Sequence, residues 1–326
     1  MKFFRVFFDY IIIFVLLALF FHLYIELFKL MKYIAIIGSG TMGNGIAHVF
    51  CLNGYQVNLI DISQMALDQA FNTINLNLDR QIKKGTIKEE DKKKALINLN
   101  RSTQLKEGVE VADLVIEAVI EDVKIKKKIF ADLDNYTRKE AILASNTSSI
   151  SISQLASATT RPNKVIGIHF MNPVPMMELV EVIRGYNTSD ETTNTVMDIC
   201  KKIQKVPIEV QDYPGFIANR ILMPMINESI YALHEGVAGV LEIDTIMKLG
   251  MAHPMGPLQL ADYIGLDVCL SILKVMFSGF GDSKYAPCPL LVNMVQAGHL
   301  GRKSGEGFYK WEPGKKDLEV SRRFRL

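Results

Sequence analysis

Residues 32–61 read KYIAIIGSGTMGNGIAHVFCLNGYQVNLID, and this stretch decides the fold. Lys32–Ile37 is a short apolar, β-branched run that stops at a glycine, the pattern of a buried parallel strand. Gly38-Ser39-Gly40-Thr41-Met42-Gly43 follows, Asn44–Asn53 reads as a helix ended by Gly54, and Gln56–Ile60 reads as a second strand ending at Asp61. In such a βαβ unit the first glycine allows the tight turn, the second lets the backbone approach a pyrophosphate, and the third allows close helix–strand packing. The free N–H groups and dipole of the helix start favour the bound anion. Alone, a G-x-G-x-x-G says little. With both strands, the helix and an acid roughly twenty residues on, it predicts a nicotinamide or flavin dinucleotide. Asp61 would bond the adenine ribose and repel a 2′-phosphate, which favours NAD over NADP; as a plainer alternative it would cap the segment Ile62–Leu67.

The same alternation continues outward. Residues 63–98 are helical with an interruption at Lys84-Gly85-Thr86. Strands are expected at Leu114–Val119, Ile142–Ala144, Lys164–His169, Leu179–Ile183 and Lys205–Val210, with a helix at Lys124–Leu133. Strands alternating with helices argue for a doubly wound parallel sheet. After Asp212-Tyr213-Pro214-Gly215 the β-branched runs give way to helical periodicity rich in Met and Ala. Helices are expected at Ile217–Gly236, with a kink or break at Pro224, and around Ile243–Leu249, Gln259–Phe277 and Pro289–Ala297. The expected architecture is α/β: a Rossmann-like, doubly wound sheet over 31–213, an all-helical domain over 214–312, and a charged, loosely held tail over 313–326.

Residues 1–30 stand apart, with Tyr10–Phe21 uninterrupted apolar sequence after Lys2 and Arg5. Three readings remain open: a marginal membrane anchor, a signal peptide without a convincing cleavage site, or a chain whose translation starts at Met31. The net charge of +2 gives no bias toward nucleic acid. Cys51, Cys200, Cys269 and Cys288 are scattered, with no CxxC pair and no ligand spacing with histidine. They read as reduced thiols of a cytoplasmic protein, and no metal signature accompanies them.

The segment Ile166–Ile183, IGIHFMNPVPMMELVEVI, carries the chemistry. His169 ends an apolar run, the turn Asn172-Pro173-Val174-Pro175 follows, and Glu181 lies on the next run. A histidine at a strand end with a carboxylate returned toward it by a turn is what a general base needs. The carboxylate fixes the imidazole tautomer and stabilises its charged form.

At this point the chain resembles the 3-hydroxyacyl-CoA dehydrogenases, in particular the free-standing bacterial enzymes acting on 3-hydroxybutyryl-CoA. The likeness spans nearly all of residues 31–311 and rests on IGSGTMGNGIAHVF (37–50), SNTSSISI (145–152), HFMNPVPMMELVEV (169–182), DYPGFIANRI (212–221), HPMGPLQLADYIGLD (253–267) and GRKSGEGFYKW (301–311). The resemblance implies NAD-dependent interconversion of an (S)-3-hydroxyacyl-CoA and its 3-keto form. It places the acid/base on His169, its partner on Glu181, and substrate contacts on Ser148 and Asn219. Cofactor contacts fall on Gly38–Gly43, Asp61, Glu121, Lys126 and Asn146. A coenzyme A contact falls on Lys84, while the family's serine contact is replaced by Asn77. A homodimer through the helical domain is implied as well. Plainer readings stand beside these: Ser148 as a helix cap, Glu181 as a surface strand residue, Asn219 as an ordinary first-turn residue, and Glu121 with Lys126 as an exposed helix pair. Rival functions are a 3-hydroxyadipyl-CoA or sugar-acid dehydrogenase of the same fold, and a non-catalytic NAD-binding relative.

Overall fold

The computed structural model describes residues 31–312, 314 and 318–325. The apolar segment 1–30 lies outside the described residues. Eight strands form one sheet: β1 (Tyr33–Ile37), β2 (Gln56–Ile60), β3 (Leu99–Ser102), β4 (Leu114–Glu117), β5 (Ile142–Ser145), β6 (Val165–Phe170), β7 (Leu179–Arg184) and β8 (Val206–Gln211). Their spatial order is β3-β2-β1-β4-β5-β6-β7-β8. The first six run parallel. β7 runs antiparallel to β6, and β8 parallel to β7. The short Asn172–Met177 turn imposes this reversal, because parallel neighbours need a long crossover. The sheet is therefore not wholly parallel as expected.

Helices cover both faces. α1 (Thr41–Leu52) packs Ile46, Ala47, Val49 and Phe50 into the core. α2 (Gln64–Lys83) buries Leu67, Ala70, Ile74 and Leu78, an i, i+3/i+4 stripe. Ser63 caps α2, accepting a bond from the Ala66 N–H. α3 (Glu89–Ile97) completes this hairpin. On the other face lie α4 (Leu105–Val109), α5 (Val123–Tyr136) and α6 (Ile152–Ala156), and α7 (Asp190–Lys202) connects β7 to β8. Phe130 and Leu133 of α5 share a second core cluster with Ile37, Val115 and Leu143.

The C-terminal region is helical: α8 (Ala218–His234), α9 (Val240–Gly250), α10 (Pro257–Ile264), α11 (Leu266–Phe280) and α12 (Pro289–Gln296). They enclose a separate core that includes Met223, Leu258, Cys269, Leu273 and Met276. Of the kink or break expected at Pro224, the break does not occur: α8 runs on through it. Two further expectations are corrected here. The single helix expected at Gln259–Phe277 is two, α10 and α11, separated at Gly265, whose φ of +107° cannot continue a helix. Part of the charged tail is docked rather than loose. β10 (Glu319–Val320) pairs with β9 (Tyr309–Lys310), Ser321 is buried, and the Phe324 ring lies 5.7 Å from that of Phe308. Among the described residues no helix is long and apolar enough to cross a membrane.

Candidate active site

The antiparallel register sets His169 directly opposite Glu181, so both side chains leave the same face of the sheet. His169 Nδ1 lies 2.8 Å from Glu181 Oε2, and His169 Nε2 lies 3.1 Å from Ser148 Oγ. Glu181 Oε1 accepts N–H bonds from Ile217 and Ala218, at 3.1 and 2.9 Å. The carboxylate thus also ties down the start of α8, two residues after Gly215 relaxes the chain with a φ of +77°. Burial works to raise the Glu181 pKa, but the His169 bond and the Ala218 and Ile217 N–H groups outweigh it and hold it below the ordinary value. An ionised Glu181 can only accept, so Nδ1 donates to it; in the neutral ring this leaves the Nε2 lone pair facing Ser148. Asn219, in the first turn of α8, donates from Nδ2 to the Ser148 carbonyl at 3.2 Å. His169, Glu181, Ser148 and Asn219 therefore form one bonded group.

Beneath Ser148 lies a second charged group. Glu117, fully buried at the end of β4, accepts from the Val119 N–H at 2.7 Å, from Ser145 Oγ at 2.6 Å and from Lys126 Nζ at 2.7 Å. Lys126 also reaches Glu121 Oε2, at 3.2 Å. Glu121 Oε1 in turn accepts the Ser148 and Ser149 N–H groups at 3.0 and 3.1 Å. Burial would raise the Glu121 pKa, yet the Lys126 ammonium and the Thr147 and Ser149 hydroxyls lower it overall. Lys126 is 1% exposed. It does not form the solvent-exposed pair that its sequence also allowed, and its ammonium is directed at two carboxylates. Glu117 was not singled out from sequence, although a carboxylate closing the apolar run LVIE was the signal for it.

Two cavities meet this arrangement. The first, about 360 Å³, is lined on one side by Met42, Ala118, Val119, Glu121, Asn146 and Ser148, and on the other by Asp267, Val268, Ser271 and Ile272 of α11. The second, about 500 Å³, lies between Ser39–Gly45 with Asp61 on one side, the inner face of α2 through Asn77, and the turn Asn172–Pro175. Gly38 has φ +96°, and a Cβ there would stand 2.6 Å from the Ala118 carbonyl; one on Gly43 would stand 1.7 Å from the Gly38 carbonyl. A Cβ on Gly40 meets only open space, on the wall of the second cavity. That cradle at the start of α1 fits a pyrophosphate. Asp61 accepts from the Ser39 N–H and hydroxyl, both at 2.8 Å. Despite the opposing effect of burial, those bonds hold its carboxyl below the usual range.

Lys84 is not brought into the site. It is exposed at the C-cap of α2 and lines neither cavity, whereas Asn77 does line the second. Asn172 and Lys205 were missed from sequence. Asn172 precedes a cis peptide to Pro173 and faces the second cavity. Lys205 is buried, and its ammonium donates to the Val174 and Met177 carbonyls, both at 2.7 Å, pinning the turn between β6 and β7. Asn146 Oδ1 accepts the Phe170 N–H at 2.9 Å and joins the ends of β5 and β6.

The profile of the 3-hydroxyacyl-CoA dehydrogenase NAD-binding domain matches residues 33–213, and that of the family's C-terminal domain matches residues 215–311. The chain belongs to the 3-hydroxyacyl-CoA dehydrogenase family. It is 53% identical, over 87% of its length and 97% of the relative's, to a 3-hydroxybutyryl-CoA dehydrogenase of Bradyrhizobium diazoefficiens. To the mitochondrial hydroxyacyl-coenzyme A dehydrogenase of Rattus norvegicus it is 41% identical, over 87% of this chain and 92% of the other. The crystal structure of (S)-3-hydroxybutyryl-CoA dehydrogenase from Ralstonia eutropha superposes with a TM-score of 0.84 at 47% identity, covering 87% of this chain and all of that one. The dehydrogenase is an NAD-dependent oxidoreductase, and its NAD-binding half is the sheet that carries the glycine turn.

Proposed function

We propose that the dehydrogenase interconverts (S)-3-hydroxybutyryl-CoA and its 3-keto form, with His169 as acid/base. The carrying observation is the bond chain from Glu181 Oε2 through both His169 nitrogens to Ser148 Oγ. The substrate assignment draws on the relatives near 50% identity, which are named for 3-hydroxybutyryl-CoA.

When bound, the nicotinamide supplies the hydride acceptor for oxidation and the donor for reduction. The chain's own residues handle the proton. His169 Nε2, unprotonated while Nδ1–H is held by Glu181, takes the proton of the 3-hydroxyl through or beside the Ser148 hydroxyl. The ionised Glu181 offsets the imidazolium charge that results. In reduction the same nitrogen returns the proton. Ser148 and Asn219 are neutral hydrogen-bonders, suited to holding the substrate's oxygens in one geometry. Glu121, braced by Lys126, fixes the Ser148 backbone. Ser39, Gly40 and Thr41 would hold the cofactor's pyrophosphate and Asp61 its adenine ribose, while Met42, Glu121 and Asn146 would line its nicotinamide end. The division of labour falls near Tyr213, the sheet binding cofactor and the helices closing over the thioester.

Exposed apolar side chains on the helical region, among them Ile221, Val237, Leu241, Ile246 and Leu249, support a homodimer through that region. A monomeric mass at micromolar concentration would end that part of the reading. The functional test is loss of NADH absorbance with acetoacetyl-CoA, alongside NADPH. Consumption of NADH with little use of NADPH is expected. No oxidation of either cofactor with any 3-ketoacyl-CoA would overturn the assignment.

A further inference from the structure

The first cavity has two walls of different character. The sheet wall follows the carboxyl ends of β4 and β5, where doubly wound sheets bind their dinucleotide. Ser148 belongs to that wall, and its hydroxyl meets His169, so the reacting carbon lies at this cavity's edge. The facing wall is the start of α11. Val268, Ser271 and Ile272 stand at i, i+3 and i+4 and share one face of that helix. Val268 and Ile272 are branched and apolar, and Ser271 is small. Asp267 adds a carboxylate whose Oδ2 is held by Lys303 at 2.5 Å, while its buried Oδ1 has no hydrogen-bond partner.

We infer that this face of α11 reads the substrate's acyl tail, admitting a short one. The inference rests on the assignment of a 3-hydroxyacyl thioester made above. The apolar branch points of Val268 and Ile272 limit how far a chain extends past the reacting carbon. Asp267 is paired with Lys303 and so brings no net charge to this wall.

The test is kcat/KM with NADH for four-, six- and eight-carbon 3-ketoacyl-CoAs, in the wild type and in Val268→Ala and Val268→Phe. One methylene in an apolar pocket changes kcat/KM by about tenfold or more. Val268→Ala is therefore expected to raise the eight- to four-carbon ratio by about tenfold, and Val268→Phe to lower it. Ratios within about twofold of wild type in both Val268 variants overturn the proposal, even where wild-type activity is high. A wild type inactive on every thioester instead defeats the underlying assignment, and the tail reading falls with it.

Discussion

Glu181 and Asp262 are buried carboxylates in nearly the same local setting. Each accepts two consecutive backbone N–H groups, Ile217 and Ala218 at 3.1 and 2.9 Å in one case, Phe308 and Tyr309 at 3.0 and 2.9 Å in the other. Each accepts one ring N–H as well: His169 Nδ1 at 2.8 Å, or Trp311 Nε1 at 2.9 Å. Their acidities nevertheless move in opposite directions. Glu181 is held below its ordinary value. Asp262 is pushed up to about 6 by burial, which the Trp311, Tyr309 and Phe308 donors only partly offset and to which Asp244 adds repulsion. At Glu181 the bonds from His169 and Ala218, helped by attraction to the imidazole and by the Ile217 N–H, outweigh burial, whereas at Asp262 burial outweighs the donors and a second carboxylate adds to it. Equivalent backbone capping holds the partner of the proposed acid/base in one region and joins helices to the C-terminal strands in the other.

The largest effect should come from making the first setting resemble the second. His169→Gln removes the titrating ring and leaves a neutral donor beside Glu181. Turnover of acetoacetyl-CoA should fall by about 10³-fold in a folded protein, within the range for loss of a general acid/base. Near-wild-type turnover would rule out the role. Glu181→Gln is subtler, because an amide has one acceptor oxygen for the two tasks that the carboxylate divides between Oε2 and Oε1. Either the imidazole loses its partner or α8 loses its cap, so turnover should drop by about 10²-fold. Steady-state kinetics showing a change in KM alone would assign Glu181 to positioning α8 and remove it from the proton chemistry.

The two regions were unequally legible in the sequence. The βαβ unit and the His169–Glu181 pairing lie within short segments whose spacing carries the information, whereas Ser148 was reached only through the family resemblance. β3 was missed because Leu99–Ser102 has one buried apolar residue and no periodicity. Lys205 and the α11 wall meet residues distant along the chain, such as Lys205 with Val174, 31 residues apart, and local patterning does not record these. Gly265 sits inside an otherwise continuous helical pattern, where a glycine is usually tolerated at a cost of about 1 kcal/mol, and its left-handed backbone showed only in three dimensions. Asp262 lies in a segment quoted for its family likeness, yet its partners Phe308, Tyr309 and Trp311 are more than forty residues away along the chain.

Asp262 offers the smaller effects, read in stability rather than turnover. In Asp262→Asn the amide nitrogen cannot accept, so either the Phe308 donor at Oδ1 or the Tyr309 and Trp311 donors that share Oδ2 are orphaned. The expected loss is roughly 1–3 kcal/mol in urea unfolding. The pH dependence then follows from the direction of the shift. A carboxyl raised from 3.8 to about 6 on folding contributes stability that is complete below the lower value and is lost as pH rises through the upper one. Glu181 runs the other way. Its contribution is present above the ordinary glutamate value of 4.5 and is lost as pH falls through its depressed folded value. The two windows therefore do not coincide. Between about pH 5.5 and about pH 7.5 only the Asp262 contribution of this pair changes, and it declines. Asparagine does not titrate, so the wild type's stability advantage over Asp262→Asn should shrink across that interval. The whole shift of about two units is worth roughly 3 kcal/mol, most of it lost below pH 5.5, so the change across this interval is about 1 kcal/mol or less. An advantage that grows with pH would mean that the donors around Asp262 outweigh its burial, and the contrast with Glu181 would collapse.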